Sequence, residues 1–141
     1  MTPTQIALIR DGFDRIAPDA ERIGLSFYDR LFATDPSARM LFRGDIRTQA
    51  GHLMAALTMV VRSLDDLGPI LGNIQALGRR HAGYGVESHH FLLVGATLLT
   101  ILDDVLGAAF TAEARDAWAE AYGILSEAML AAMREPIADA A

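Results

Sequence analysis

The sequence contains no cysteine, and its 12 basic residues are all arginines. Without cysteine the chain cannot form disulfides, thiolate nucleophiles, iron–sulfur clusters or zinc–thiolate sites. The net charge is −6, and the arginines form no basic cluster. An acidic chain of this kind is a poor binder of nucleic acid. The composition therefore excludes thiol chemistry and disfavours DNA or RNA as a partner.

Long apolar runs and targeting signals are also lacking. No uninterrupted run approaches the roughly 20 apolar residues that span a bilayer, so we expect no membrane span. The start, MTPTQIALIRDGF, has no basic region before an apolar stretch. We therefore expect no signal peptide and a cytoplasmic location. With 141 residues, the chain should form one domain over residues 1–141, large enough to bury a core.

Helical periodicity runs along nearly the whole chain, and the alternating pattern of strands is missing. Thr2, Pro3 and Gln5 predict a capped first helix, and Thr111 predicts the cap of the last helix. Between them we expect helices at about 19–33 and 46–63, one ending at Gly83, and a long one from about 87. The segments, seven in all and of mixed length, predict an all-α fold rather than an equal four-helix bundle.

Two glycines on apolar helix faces, Gly24 and Gly95, mark expected points of close helix contact. Gly85, in the turn after the helix that ends at Gly83, should keep that turn open. Arg43, Gly44 and Asp45 read as a polar corner.

Three polar side chains share apolar helix faces: His81 continues the stripe of Ile74 and Leu77, and Gln49 and Tyr28 also face inward. Taken singly, each is ordinary, because buried histidine and tyrosine commonly bond to a carbonyl and an amide can sit at a frayed helix start. Taken together, the three are accounted for by a bound metal cofactor. One histidine suffices when the metal brings four ligands of its own, as it does in haem.

The stretch LGRRHAGYGVESHHFLLVGATLLTILDDVLGAAFTAEARDAWAEAYGIL resembles the back half of a globin, and FYDRLFATDPSARMLF resembles the matching front half. The most specific part is GRRHAGYGV. The chain is most similar to single-domain bacterial globins related to the haem domain of flavohaemoglobin, and also to neuroglobin. The resemblance covers nearly the whole chain, and it implies the globin fold, a 3-over-3 helical sandwich around haem b.

The resemblance also implies a role for individual residues. His81 would be the iron ligand, and Tyr28 and Gln49 would bind the gas, with Leu53 beside them. The residues implied to contact the cofactor are Phe42, Leu53, Leu77, Arg80, Tyr84, Val86, Phe91 and Val94. Arg80 would approach a haem propionate, unless it simply lies at the solvated surface.

The other histidines are weaker candidates. His52 is a rival for the gas-binding side, but it lies about 60° around the helix from Gln49. We expect it nearer the haem edge or solvent. His89 and His90 are adjacent, so we expect them to point apart and to cap or flank a helix start.

The chain departs from the flavohaemoglobin pattern around the iron ligand. Haem domains of that family place a tyrosine ten residues after the ligand histidine and a glutamate on the last helix, which polarise the histidine. The matching positions here are Phe91 and Met133. We therefore expect His81 to donate its second ring nitrogen to a backbone carbonyl, that of Leu77. Since the sequence ends at Ala141, we also expect no flavin reductase domain and an external reductase for any turnover.

These features predict reversible binding of dioxygen, and of carbon monoxide and nitric oxide, for carriage, storage or scavenging. Hydrogen bonds from Tyr28 and Gln49, roughly 1.5–3 kcal/mol to a charged acceptor, should favour dioxygen over carbon monoxide. The alternatives are a nitric oxide dioxygenase with an external reductase, a peroxidase side activity, a gas sensor, and a haem-free interaction module. The chain should be a monomer or a weak homodimer.

Overall fold

The computed structural model describes residues 1–42 and 44–134. Within these residues the chain forms helices and no strand, in agreement with the all-α prediction. The six α-helices are α1 (Pro3–Ile16), α2 (Ala20–Thr34), α3 (Ile46–Arg62), α4 (Leu71–Gly83), α5 (Ser88–Leu106) and α6 (Ala112–Met133). The seventh predicted segment is a 3₁₀ helix at Pro36–Leu41, and shorter 3₁₀ turns connect other helices.

The predicted helix caps are present. The Thr2 side chain accepts a hydrogen bond from the Gln5 backbone N–H, and the Gln5 side chain accepts one from the Thr2 N–H, which completes a capping box. At α6 the Thr111 hydroxyl accepts from a backbone N–H in the first turn. Local sequence therefore determines where these two helices begin.

The turn between α4 and α5 also follows the prediction. α4 ends at Gly83, and Gly85 has a φ of 85°, in the left-handed region that favours glycine. At the predicted polar corner, Asp45 caps α3 through its side chain, whereas Arg43 lies outside the described residues.

Glycines bring pairs of helices together at three crossings. A Cβ added to Gly24 of α2 would lie 3.0 Å from the Ala50 Cβ on α3, and one added to Gly95 of α5 would lie 2.7 Å from the Tyr122 ring on α6. Both contacts confirm the predicted close approaches. The third was not predicted: a Cβ on Gly78 of α4 would lie 2.6 Å from the Met129 carbonyl oxygen on α6.

The buried apolar side chains form two clusters. The main cluster is built chiefly on α1, α2, α3, α5 and α6. The smaller one, here named the α4–α6 cluster, is centred on Ile74, Phe91 and Met129. α3 packs against α2 and α4 packs against α6, and α3 and α4 are not among the closely packed helix pairs of residues 1–42 and 44–134. We name the region between them, where Leu53 and Leu77 are half-buried, the α3–α4 seam.

One expectation about the membrane was wrong. The helical stretch Ser88–Ala109 is long and apolar enough to cross a membrane by length and composition, with a mean hydropathy of 1.8. The sequence criterion missed it because only uninterrupted apolar runs were counted. A central helix of a folded protein meets the same criteria, and α5 packs against α2 and α6.

Candidate functional site

His81 lies in the last turn of α4 and is half-buried. Its Nδ1 is 2.7 Å from the carbonyl oxygen of Leu77, one turn earlier, which confirms the predicted partner. To make this bond Nδ1 carries the proton and donates, so the lone pair of Nε2 is available to a metal. Burial lowers the pKa of His81, the Leu77 carbonyl acts against that shift, and the neighbouring Arg80 adds to it. The neutral imidazole, the form that binds a metal, is therefore favoured.

The side chains around His81 are apolar or aromatic. The rings of Tyr84 and Phe91 lie 6.1 and 6.3 Å from its ring, measured between centroids. Val86 and Met133 pack in the α4–α6 cluster together with Phe91. Phe91 and Met133 occupy the positions where the flavohaemoglobin pattern has a tyrosine and a glutamate, so this side of the site carries neither of those polar groups.

Tyr122 is part of these surroundings, and the sequence did not single it out. Its hydroxyl donates to the carbonyl oxygen of Phe91 at 2.7 Å, and its ring fills the space left by Gly95. Burial raises its pKa. The signal that could have found it is the glycine on an apolar face of α5, which requires a large partner opposite it.

Tyr28 of α2 lies in the main cluster and is only 4% exposed. The rings of Phe42 and Phe32 lie 5.2 and 5.8 Å from its ring. Burial raises the pKa of Tyr28 to about 12, and the hydrogen bond with the Gln49 side chain acts in the opposite direction. The Tyr28 hydroxyl is therefore a protonated donor across the physiological pH range.

The structure thus brings Tyr28, Gln49 and Phe42 together at one end of the main cluster. Leu53, one turn after Gln49 on α3, is half-buried against the same cluster, and so is Val94 of α5. Leu77, Val86 and Phe91 lie instead in the α4–α6 cluster near His81. The predicted site residues therefore divide into two groups, and Val94 and Phe91 on neighbouring turns of α5 join the two groups.

Three candidates lie at the surface. Arg80 and His52 are exposed, and the Tyr84 side chain is 62% exposed although its ring is near that of His81. For His52 this agrees with the expected position toward solvent.

The prediction that His89 and His90 point apart is wrong, because their ring centroids are 4.0 Å apart. His90 Nδ1 accepts a hydrogen bond from the Glu87 backbone N–H, and His89 Nδ1 lies 3.3 Å from a Glu87 carboxylate oxygen. Both rings thus turn back toward Glu87, the capping residue of α5. The expected role at a helix start is confirmed.

Known proteins similar to this chain agree with the geometry. The Globin family model matches residues 25–129. The chain is 32% identical to neuroglobin from Danio rerio over 86% of each chain. It is 31% identical to the flavohemoprotein of Bordetella pertussis over 100% of this chain and 36% of the relative. The chain spans about a third of the length of the flavohemoproteins that it matches. A bacterial globin structure from Campylobacter jejuni superposes with a TM-score of 0.83 at 22% identity, covering 94% of this chain and 96% of the other, which supports the fold.

Proposed function

Because the chain belongs to the globin family, whose cofactor is haem b, we propose that it binds dioxygen reversibly, with Tyr28 and Gln49 stabilising the bound gas. The observation that carries this proposal is the hydrogen bond from His81 Nδ1 to the Leu77 carbonyl. That bond leaves one imidazole nitrogen ready to ligate iron.

The residues present fit haem. His81 supplies a neutral nitrogen donor at the α4–α6 cluster. Leu53, Leu77, Val86 and Val94 are half-buried, so each keeps apolar surface that a flat apolar macrocycle in the α3–α4 seam can cover. When bound there, haem supplies an iron at which a diatomic gas binds.

Tyr28 and Gln49 provide the hydrogen-bond donors on the other side. The hydroxyl of Tyr28 keeps its proton because burial holds its pKa at about 12. Hydrogen bonds to charged acceptors contribute roughly 1.5–3 kcal/mol. Dioxygen draws more electron density than carbon monoxide does, so these donors favour dioxygen. We expect high dioxygen affinity through slow release.

The surroundings of His81 favour binding over turnover. Its Nδ1 donates to a neutral carbonyl, and Phe91 and Met133 bring no charge. A carboxylate partner would make the imidazole a stronger electron donor. Nitric oxide dioxygenation is the second candidate, since the same Tyr28 and Gln49 donors would serve it. Nitrate formation in the presence of a supplied reductase, at a rate well above that of free haem, would favour that activity over carriage.

The direct test is replacement of the ligand histidine. We expect His81→Gly to weaken haem retention and to change the absorption spectrum of ferrous protein, because the pocket loses its only proposed ligand. Added imidazole should restore the spectrum in part. His52→Gly, on the exposed side of α3, is the matched control and should keep the spectrum of the parent. A parent-like spectrum of His81→Gly without imidazole would refute the assignment.

A further inference from the structure

An apolar cavity of about 50 Å³ lies between the end of α3, the start of α4 and α6. Every residue that lines it is apolar, including Val60 and Ile74 on the inner side. Leu71 and Ile124, which also line it, are 44% and 40% exposed, so the cavity approaches the surface between them. A water molecule inside would find none of the two to four polar partners that hold buried water.

The cavity lies on the helix faces that carry the proposed gas site. Val60 follows Leu53 by seven residues on α3, and Ile74 precedes His81 by seven residues on α4. Seven residues are close to two helical turns, roughly 10 Å along each axis, so both pairs share a face. The cavity therefore occupies the far end of the α3–α4 seam.

The cavity also joins the two clusters. Val60 and Ala121 belong to the main cluster, whereas Ile74 belongs to the α4–α6 cluster, and Leu125 contacts both. Side chains at such a junction pack across two separate cores. The observed gap lies where packing between the cores is incomplete.

We propose that this cavity is a docking site for a small apolar gas and an access route from the surface to the α3–α4 seam. Size sets the class of occupant, because roughly 15 Å³ suffices for one water-sized molecule and the cavity has room for a diatomic gas. Lining sets its chemistry, because no hydrogen-bonding group faces it. The inference rests on the proposed function for the identity of the gas, and the cavity itself can be tested without it.

A protein partner is a weaker occupant. The exposed apolar surface at the mouth comes from Leu71 and Ile124, whereas a stable interface buries roughly 1,200 Å² or more. An acyl chain would also exceed the volume of the cavity.

The first test uses xenon, an apolar probe that does not bind iron. We expect xenon to cause saturable shifts of the Ile74 and Ile124 methyl signals in spectra of the carbon-monoxide form of the haem-loaded protein. The methyl of Ile23, buried in the main cluster away from the cavity lining, is the internal control. Absence of the shifts would overturn the docking site. Shifts that follow protein concentration instead of xenon would indicate self-association and would also overturn it. If the protein took up no haem, the proposed function would fail, and the same xenon titration on the apoprotein would still decide on the cavity.

The second test fills the cavity from α6. Ala128→Val and Ala128→Phe should progressively abolish the xenon shifts and slow the binding and release of carbon monoxide by a common factor, leaving its affinity unchanged. A narrowed route raises the same barrier in both directions. Ala131→Phe, on the exposed face of the same helix, is the matched control and should change neither rate. Unchanged rates in both Ala128 variants, or a change in release alone, would overturn the access route while gas binding itself persisted.

Discussion

Tyr28 and Tyr122 are both buried phenols, yet their hydroxyls meet different partners. Tyr28 shares a hydrogen bond with the Gln49 amide, a side chain that can turn toward a ligand. Tyr122 donates to the backbone carbonyl of Phe91, which is fixed within α5. The first hydroxyl is therefore suited to binding a ligand, and the second to holding α6 against α5.

Replacing Tyr28 tests the first of these roles. Tyr28→Phe should speed dioxygen release about tenfold to a hundredfold, because a hydrogen bond to a charged acceptor contributes roughly 1.5–3 kcal/mol. Stopped-flow measurement of the dissociation rate checks this. Tyr122→Phe removes an equally buried hydroxyl and should lower the free energy of unfolding with little effect on release. If both variants released dioxygen at the parent rate, Tyr28 would have no role in gas binding.

The pKa of Tyr28 also predicts an alkaline loss of stability in the apoprotein. Its pKa is about 12 in the folded chain and 10.0 in the reference state, so above pH 10 the unfolded chain loses the proton first. The free energy of unfolding should therefore be unaffected by this group below pH 10 and fall between pH 10 and 12, by up to about 3 kcal/mol. Burial shifts the pKa of Tyr122 in the same direction, which adds to the fall.

Denaturant titration at a series of pH values measures the effect. Tyr28→Phe should flatten the profile above pH 10, whereas Tyr84→Phe should not, because the Tyr84 side chain is exposed. An equal response of the two variants would show that burial of Tyr28 does not control the alkaline limb.

At the scale of the helices, the position of His81 depends on how α4 crosses α6. Gly78 lies one turn before His81 and allows the Met129 backbone to approach. The neighbour at this contact is backbone, which cannot rotate away as a side chain can. The crossing therefore fixes the depth of the ligand helix.

Gly78→Ala should separate α4 from α6. The added Cβ would lie 2.6 Å from the Met129 carbonyl oxygen, and overpacking of this kind costs roughly 1–3 kcal/mol. That cost should exceed the gain of up to about 1 kcal/mol from helix propensity. We expect a lower free energy of unfolding in denaturant and faster transfer of haem to an acceptor protein.

Gly72→Ala is the matched control on the same helix, because no atom of another residue lies within 4 Å of the position of its added Cβ. It should stabilise α4 by roughly 0.5–1 kcal/mol. Equal effects of the two substitutions would mean that the Gly78 contact does not set the position of α4.

Helix starts were predictable because they depend on neighbouring residues. The Thr2–Gln5 box and the Thr111 cap each use groups three residues apart. The Gly78 contact was not predictable, because the sequence of α4 carries no information on the angle at which α6 crosses it. The paired rings of His89 and His90 were mispredicted for a similar reason, since both turn back to the Glu87 cap.

For the whole molecule, the two clusters imply that the apoprotein lacks part of its core. α4 is held by α6 on one side, while Leu77 and His81 on its other side are only half-buried. α2, in contrast, packs against both α3 and α5. Ligand-binding elements commonly come from the less stable part of a fold.

Hydrogen exchange should show this difference. In the apoprotein we expect the amides of α4 and of the turn at Tyr84–Val86 to exchange faster than those of α2. Haem should protect the first group most, because it binds the folded state. Uniform exchange, or protection by haem confined to α1, would contradict this division of the fold.

The sequence by itself determined the helices, their caps and the protonation of the iron ligand. The bond from His81 to Leu77 is predictable because both groups belong to one helix, one turn apart. Tertiary structure alone decided the Tyr28–Gln49 pair, the Tyr122–Phe91 bond, the Gly78 contact and the apolar cavity. Each of these joins different helices, so each depends on crossing angles and depths that arise only when the faces pack together.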